Sequence, residues 1–126
     1  MKTSELTGAA LDWAVCEASG FFVGYTQFRS GKAFLKVYGV AQNRHLHPST
    51  DWSQAGPIIE REKISTNFDL SREHPEGWWS AEFIDEEEYG MHQEDGPTPL
   101  VAAMRCYVAS KLGDDVEIPK ELICSN

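Results

Sequence analysis

The stretch that most constrains this chain is GPTPLVAAMRCYVASKLG, Gly96 to Gly113. Thr98 is placed to cap a helix and Pro99 falls at the first helical position, where its missing N–H does no harm. Gly113 stands where a left-handed C-terminal residue belongs. Between these signals Leu100, Ala103, Met104, Tyr107 and Lys111 trace one stripe, widened by Val108 and Leu112. Lys111 also complements the negative end of the helix dipole. A helix with a clear start, a clear stop and an apolar stripe requires a surface to pack against, and the upstream segments offer one.

The segment Ser4 to Ala18 carries Leu6, Ala10, Trp13, Ala14 and Glu17 at i, i+4, i+7, i+8 and i+11, all but the last apolar, which predicts a second amphipathic helix. Ser4 is its expected N-cap, Glu5 suits the positive end and Gly20 is a natural stop. FFVGYTQFRSGKAFLKVYGV is aromatic and β-branched on both sides of Ser30-Gly31-Lys32, and predicts a β-hairpin. Ala41 to Gly56 reads as a long polar connection. Pro57 to Ile64 is expected to re-enter a sheet, with Pro57 at the first strand position. Asn67 to Gly77 reads as loop, with His74-Pro75 and Glu76-Gly77 as turn signals. Trp78 to Ile84 alternates Trp79, Ala81 and Phe83 against Trp78, Ser80, Glu82 and Ile84, which predicts a strand. An acidic loop, DEEEYGMHQEDG, is expected to follow, and the tail DDVEIPKELICSN to add one short extended segment before Pro119 and a final turn. The expected class is α+β: a single domain, residues 1–126, with a small, largely antiparallel sheet (the hairpin plus two or more strands) packed against two amphipathic helices.

Composition narrows the function. At 126 residues the chain has the size of one domain. Its apolar residues are spread throughout, with no run long enough for a membrane span. MKTSELTGAALDW has polar and acidic residues where a secretory apolar core would stand, so no signal peptide is expected. Cys16, Cys106 and Cys124 are odd in number and lack CxxC spacing, which disfavours a disulfide framework and points to a reducing cytosol. The net charge is -9, and ten of the twenty acidic residues fall between Asp69 and Asp95 against one basic residue, Arg72. Such a surface repels phosphate backbones and argues against general nucleic-acid binding. It suits solubility, and it suits attraction of a basic protein by imitation of nucleic-acid charge.

Three separated stretches, MKTSELTGAALDWAV, STDWSQAGPIIERE and GPTPLVAAMRCYVASKLGDDVEIPKEL, resemble in order the NinX-like proteins, small proteins encoded by tailed phages and prophages of enteric bacteria. The resemblance covers nearly the whole chain and is least marked over Phe21 to Gly39. It implies provenance: a phage accessory protein working in the cytoplasm of the bacterial host. It implies no catalytic residue.

The chemical candidates come from the residues themselves. For catalysis they are His45, His47, Asp51 and Ser53 in the long connection, with Glu60 and Glu62 on one face of the expected following strand. No G-x-S-x-G, HExxH, P-loop or Rossmann glycine pattern accompanies them. The expectation is therefore a non-catalytic protein, with a small hydrolase as a third-ranked alternative. His45-x-His47 with Asp51, His74 or His92 is the only metal arrangement in view. Without a cysteine pair, neither a metal nor a cofactor is expected. A ligand pocket is better motivated. Trp52, Trp78 and Trp79 offer rings for stacking, and Ser49, Thr50, Asp51, Ser53 and Gln54 offer hydrogen bonds. The helix start at Thr98 offers a positive end, with Arg105 reaching it from the side. The leading expectation is sequestration of a small anionic, nucleotide-like host molecule, with homo-oligomerisation a candidate arrangement and counter-defence the role that a phage origin suggests. The alternative is an acidic inhibitor of a host protein, engaged through the acidic stretch with Trp78, Trp79, Tyr89 and Met91.

Overall fold

The computed structural model describes residues 1–20, 22–27, 33–38, 46–70, 73–85, 90–119 and 122. In chain order a 3-10 turn, Thr3–Glu5, leads into α1 (Gly8–Ala18), β1 (Phe22–Gln27), β2 (Ala33–Tyr38), α2 (Trp52–Glu62), β3 (Ser65–Asp69), β4 (Trp78–Asp85), β5 (Gly90–Gly96) and α3 (Pro99–Leu112). The class is α+β, as the sequence predicts. β1 and β2 pair antiparallel from Phe22↔Tyr38 to Gln27↔Ala33. The Ser30-Gly31-Lys32 turn expected between them lies outside the described residues. A second antiparallel sheet has the order β3-β4-β5.

α3 forms where its signals place it. The Thr98 hydroxyl accepts from the Val101 N–H at 3.1 Å, Pro99 opens the first turn, and the Gly113 N–H closes the last turn on the Ala109 carbonyl. Its burial exceeds the expectation of a single stripe: every residue from Leu100 to Ala109 is buried. A helix buried on all sides must lie between two layers. α3 packs on the β3-β4-β5 sheet on one side and on α1 and α2 on the other. Ala81, buried at the middle of β4, is small enough to let the helix approach, and Trp79 and Phe83 flank it against the core. Gly96 makes a similar concession where β5 turns into α3, because a Cβ there would stand 2.8 Å from the Ala102 backbone nitrogen. The hairpin lies against α1 rather than joining the second sheet. The expected picture of two helices on one side of one sheet is thus replaced by three layers, with α3 as the middle one.

Four element boundaries differ from expectation. α1 begins at Gly8 instead of Ser4, because Thr3–Glu5 winds as a separate 3-10 turn whose Thr3 hydroxyl donates to the Gly113 carbonyl at 2.7 Å. Part of the expected loop from Asn67 is strand β3, and the second half of the acidic loop is strand β5. The largest correction is Pro57 to Ile64, expected as a strand: Pro57 to Glu62 lie inside helix α2, and Lys63 and Ile64 form its C-terminal turn. Asp51 caps α2, accepting from the Ser53 N–H at 2.9 Å, and the Gln54 side-chain amide also donates to the same carboxylate at 3.2 Å. Both bonds are donated to the cap carboxylate, one from the backbone of the first turn and one from a side chain of it. Pro57 is tolerated within the helix because Gly56 before it has no Cβ to clash with the proline ring. Ala55, Ile58, Ile59 and Glu62 then follow i, i+3, i+4 and i+7, with Ala55 buried and the two isoleucines packed on the core. Glu60 and Glu62 consequently do not share a face. Glu60 is exposed, while Glu62 turns inward to pair with Lys111 at 3.1 Å.

The chain's first residues close against the segment after α3. The Thr3 N–H donates to Asp114 O and the Val116 N–H to Met1 O, each at 2.9 Å, around a Lys2↔Asp115 bridge. This is the short extended segment expected before Pro119.

Candidate functional site

α1, α2 and the loop between residues 46 and 50 together line a groove. The groove is a cleft of about 250 Å³. Val15, Cys16 and Ser19 face it from the last turns of α1, and Leu46 and Pro48 close it from the connecting loop. Ser53, Gln54, Pro57, Ile58 and Arg61 enter it from one face of α2. The loop is fixed to α1 from beneath: the Ser49 N–H donates to Asp12 Oδ1 at 2.8 Å, wholly buried. The Ser49 hydroxyl leans toward the same carboxylate without meeting hydrogen-bond geometry, and has no partner among the described residues. Burial, outweighing these contacts and nearby His47, pushes the Asp12 carboxyl up to about 6.

Hydrogen bonds give the cleft a direction. Ser19 Oγ donates to the Val15 carbonyl at 2.9 Å, so across its 3.0 Å contact with Tyr107 it accepts the phenolic proton. Tyr107 Oη in turn accepts from Arg61 Nη2 at 3.4 Å. The chain therefore runs from guanidinium to phenol to hydroxyl to carbonyl. Each hydroxyl proton is spent, and the Arg61 side chain is held at the cleft mouth by a neutral group. No carboxylate among the described residues is within ion-pair distance of Arg61. Cys16 contributes only bulk, because burial, reinforced by Asp12 and Glu17, pushes its thiol up to about 12 and keeps it neutral.

The ten ligand-binding candidates do not meet in one place. Ser53 and Gln54 line the cleft. Asp51 is the α2 cap, and hydrogen bonds from the Ser53 hydroxyl (2.6 Å) and N–H hold its carboxyl below the ordinary range. Ser49 is buried beneath the loop, and Thr50 closes a turn on the His47 carbonyl. Trp52, the first residue of α2, is 56% exposed. Trp78 and Arg105 share a different, shallow depression of about 370 Å³ with Ser4, Gln93, Glu94 and Asp95. Trp78 stacks on His74 there, at 4.4 Å between ring centroids. Arg105 is nearly buried and ties the fold together, with Nε donating to Leu6 O at 2.9 Å and Nη1 to Asp95 O at 2.8 Å. Trp79 lies on the core side of the sheet, 5.1 Å from Phe68. The positive end of α3 is largely spent. Pro99 has no N–H, and those of Val101 and Ala102 go to the Thr98 hydroxyl and carbonyl.

The acid–base candidates arrange as a cap. Asp51 stands between Ser53, which donates to it, and His47, whose Nδ1 is 4.0 Å from Asp51 Oδ2. Nucleophile activation needs the imidazole between hydroxyl and carboxylate, and the order here is the reverse. His45 lies outside the described residues. Among the described residues no three histidine, cysteine or carboxylate side chains converge as metal ligands. Arg61, Ser19 and Tyr107 were not anticipated from the sequence. The signal available was the i, i+4, i+8 spacing of Ser53, Pro57 and Arg61, legible only once the segment is read as helix.

Comparison with known proteins completes the picture. The family model described as Bacteriophage P22, NinX matches residues 2–111, which span the cleft, both sheets and α3 to its last turn. The chain belongs to the phage NinX family. In this NinX-family chain the match takes in all three stretches that carried the resemblance, apart from Met1 and the end of the third. No curated protein matches the chain. No helix among the described residues is long and apolar enough to cross a membrane.

Proposed function

We propose that this NinX-family protein is a non-catalytic phage accessory protein that binds a small anionic molecule in the α1–α2 cleft and sequesters it in the host cytoplasm. The observation that carries the reading is Arg61. In a chain with twenty acidic residues, this guanidinium faces a cleft, is steadied by a phenol and lacks a carboxylate partner among the described residues. A cation left in that position supplies the charge-assisted hydrogen bonds that an anion needs. Removal of a host defence signal is the benefit such sequestration would bring. Thermal denaturation with a panel of small anions tests it. A ligand at a hundred times its Kd stabilises the native state by about 2.7 kcal/mol, a shift of several degrees. Arg61→Gln should abolish that shift without altering the unliganded melting curve. A shift of equal size in the variant would place binding elsewhere.

One observation favours a second reading, the acidic inhibitor. The sheet face turned away from α3 carries Asp69, Glu82 and Asp95 with Asn67, Ser80 and Gln93, following the cross-strand register. A basic protein surface is the complement of that face. Replacing the three acids by their amides should then remove salt-sensitive binding to the host partner and leave any Arg61-dependent stabilisation intact.

A further inference from the structure

Resting on the anion-binding reading of the same cleft, we infer that its ligand class is a compact monocarboxylic acid with an apolar body, gripped by Arg61 at the mouth, rather than a nucleotide. Three observations converge on this. The first is charge. Among the described residues Arg61 is the one charged side chain lining the cleft, so a single negative charge is matched there, and every further phosphate charge would face a protein of net charge -9. The second is donor geometry. The Tyr107 and Ser19 protons run inward to the Val15 carbonyl. The Ser53 hydroxyl is given to Asp51, and the Gln54 amide is engaged with His47 N–H and Asp51. What remains for the ligand is the planar fork of the guanidinium, which matches the two oxygens of a carboxylate. The hydroxyl cluster that a tetrahedral phosphate would call on is committed elsewhere.

The third observation is the wall and its size. Val15, Leu46, Pro48, Pro57 and Ile58 present carbon to the interior. A volume of about 250 Å³ lies just below the roughly 300–1,000 Å³ of sites that take drug-sized ligands. One ring or a short chain fits within it. Carbon buried against such walls adds affinity, about fourfold for each methylene.

Calorimetric titration of the full-length protein with acetate, hexanoate, benzoate, inorganic phosphate and adenosine monophosphate tests the inference. Hexanoate and benzoate should bind at least about tenfold tighter than acetate, and phosphate and the nucleotide more weakly than either. Arg61→Gln should weaken hexanoate about tenfold to a hundredfold. Tyr107→Phe keeps the ring and the charge but releases the guanidinium, and should cost about fivefold. Ser19→Ala perturbs the same hydrogen-bond chain from its inner end and serves as the test should the core variant fold poorly. Nucleotide binding tighter than hexanoate, lost in Arg61→Gln, would overturn the carboxylate inference while leaving the anion-binding reading intact. Binding of none of the five, or binding unchanged in Arg61→Gln, would overturn both.

Discussion

At the scale of single residues, Asp12 shows how a buried acid fastens a loop at a cost that depends on pH. Its carboxylate receives the Ser49 N–H and so holds residues 47–50 against α1. Burial is the larger effect and raises its pKa from 3.8 to about 6. The folded protein therefore binds this proton more readily than the unfolded chain does, and folding loses stability as pH rises between those two values. The stabilisation is complete below about 4 and gone above about 6. Asp12→Asn keeps an oxygen for the Ser49 N–H and removes the titration. Urea denaturation across that window should find the variant close to wild type at the acid end. By neutral pH it should be more stable by about 1–3 kcal/mol. A gap that stays constant with pH would show that the carboxylate does not titrate in this way.

At the scale of elements, α2 is the most informative. It ends in a Schellman motif, with the Lys63 N–H on Glu60 O and the Ile64 N–H on Ile59 O. Lys63 therefore takes a left-handed conformation, φ 56 and ψ 48, usually filled by glycine. The strain of roughly 1–2 kcal/mol for an L-residue there exceeds the extra chain entropy that glycine loses. Lys63→Gly should raise the unfolding free energy by about 0.5–1 kcal/mol, readable as a higher midpoint in urea at unchanged slope. The same helix shows what was legible in the sequence. α3 was readable because capping threonine, first-turn proline and terminal glycine agree with its stripe. β4 was readable because Trp79, Ala81 and Phe83 alternate cleanly with polar neighbours. α2 was misread because Gly56-Pro57 is a strong local breaker. The contrary signals, the Asp51 cap and the helical spacing of Ala55, Ile58, Ile59 and Glu62, outweigh it only when core packing and the Glu62–Lys111 pair are added. The candidate site followed the same pattern: Ser53 and Gln54 were found by their chemistry, but Arg61 was hidden behind the strand assignment. The pairing of Trp78 with Arg105 depends on the sheet register and lay beyond any local pattern.

At the scale of the whole molecule, stability and the proposed binding fall to different layers. α3 is enclosed between a sheet and two helices, and Arg105 ties it to the backbone at Leu6, before α1, and at Asp95, in β5. α2 contributes one fully buried side chain, Ala55, and leans on α3 through its isoleucines and Glu62. Few buried contacts and an exposed outer face define a unit that opens before the rest. Native-state hydrogen exchange should place the core amides of α3 at the free energy of global unfolding. Those of α2 should open at roughly 2–4 kcal/mol less. A ligand seated between α1 and α2 binds only the closed arrangement, so it should slow exchange in α2 and the last turn of α1 by mass action. The amides of α3, already exchanging through global unfolding, should slow only as far as overall stability rises. Equal protection of α2 and α3 without ligand would mean that the cleft is built on a rigid scaffold. Release of a captured molecule would then be governed by the Arg61 contact alone. The unequal pattern would make the opening of α2 the step that admits and releases it.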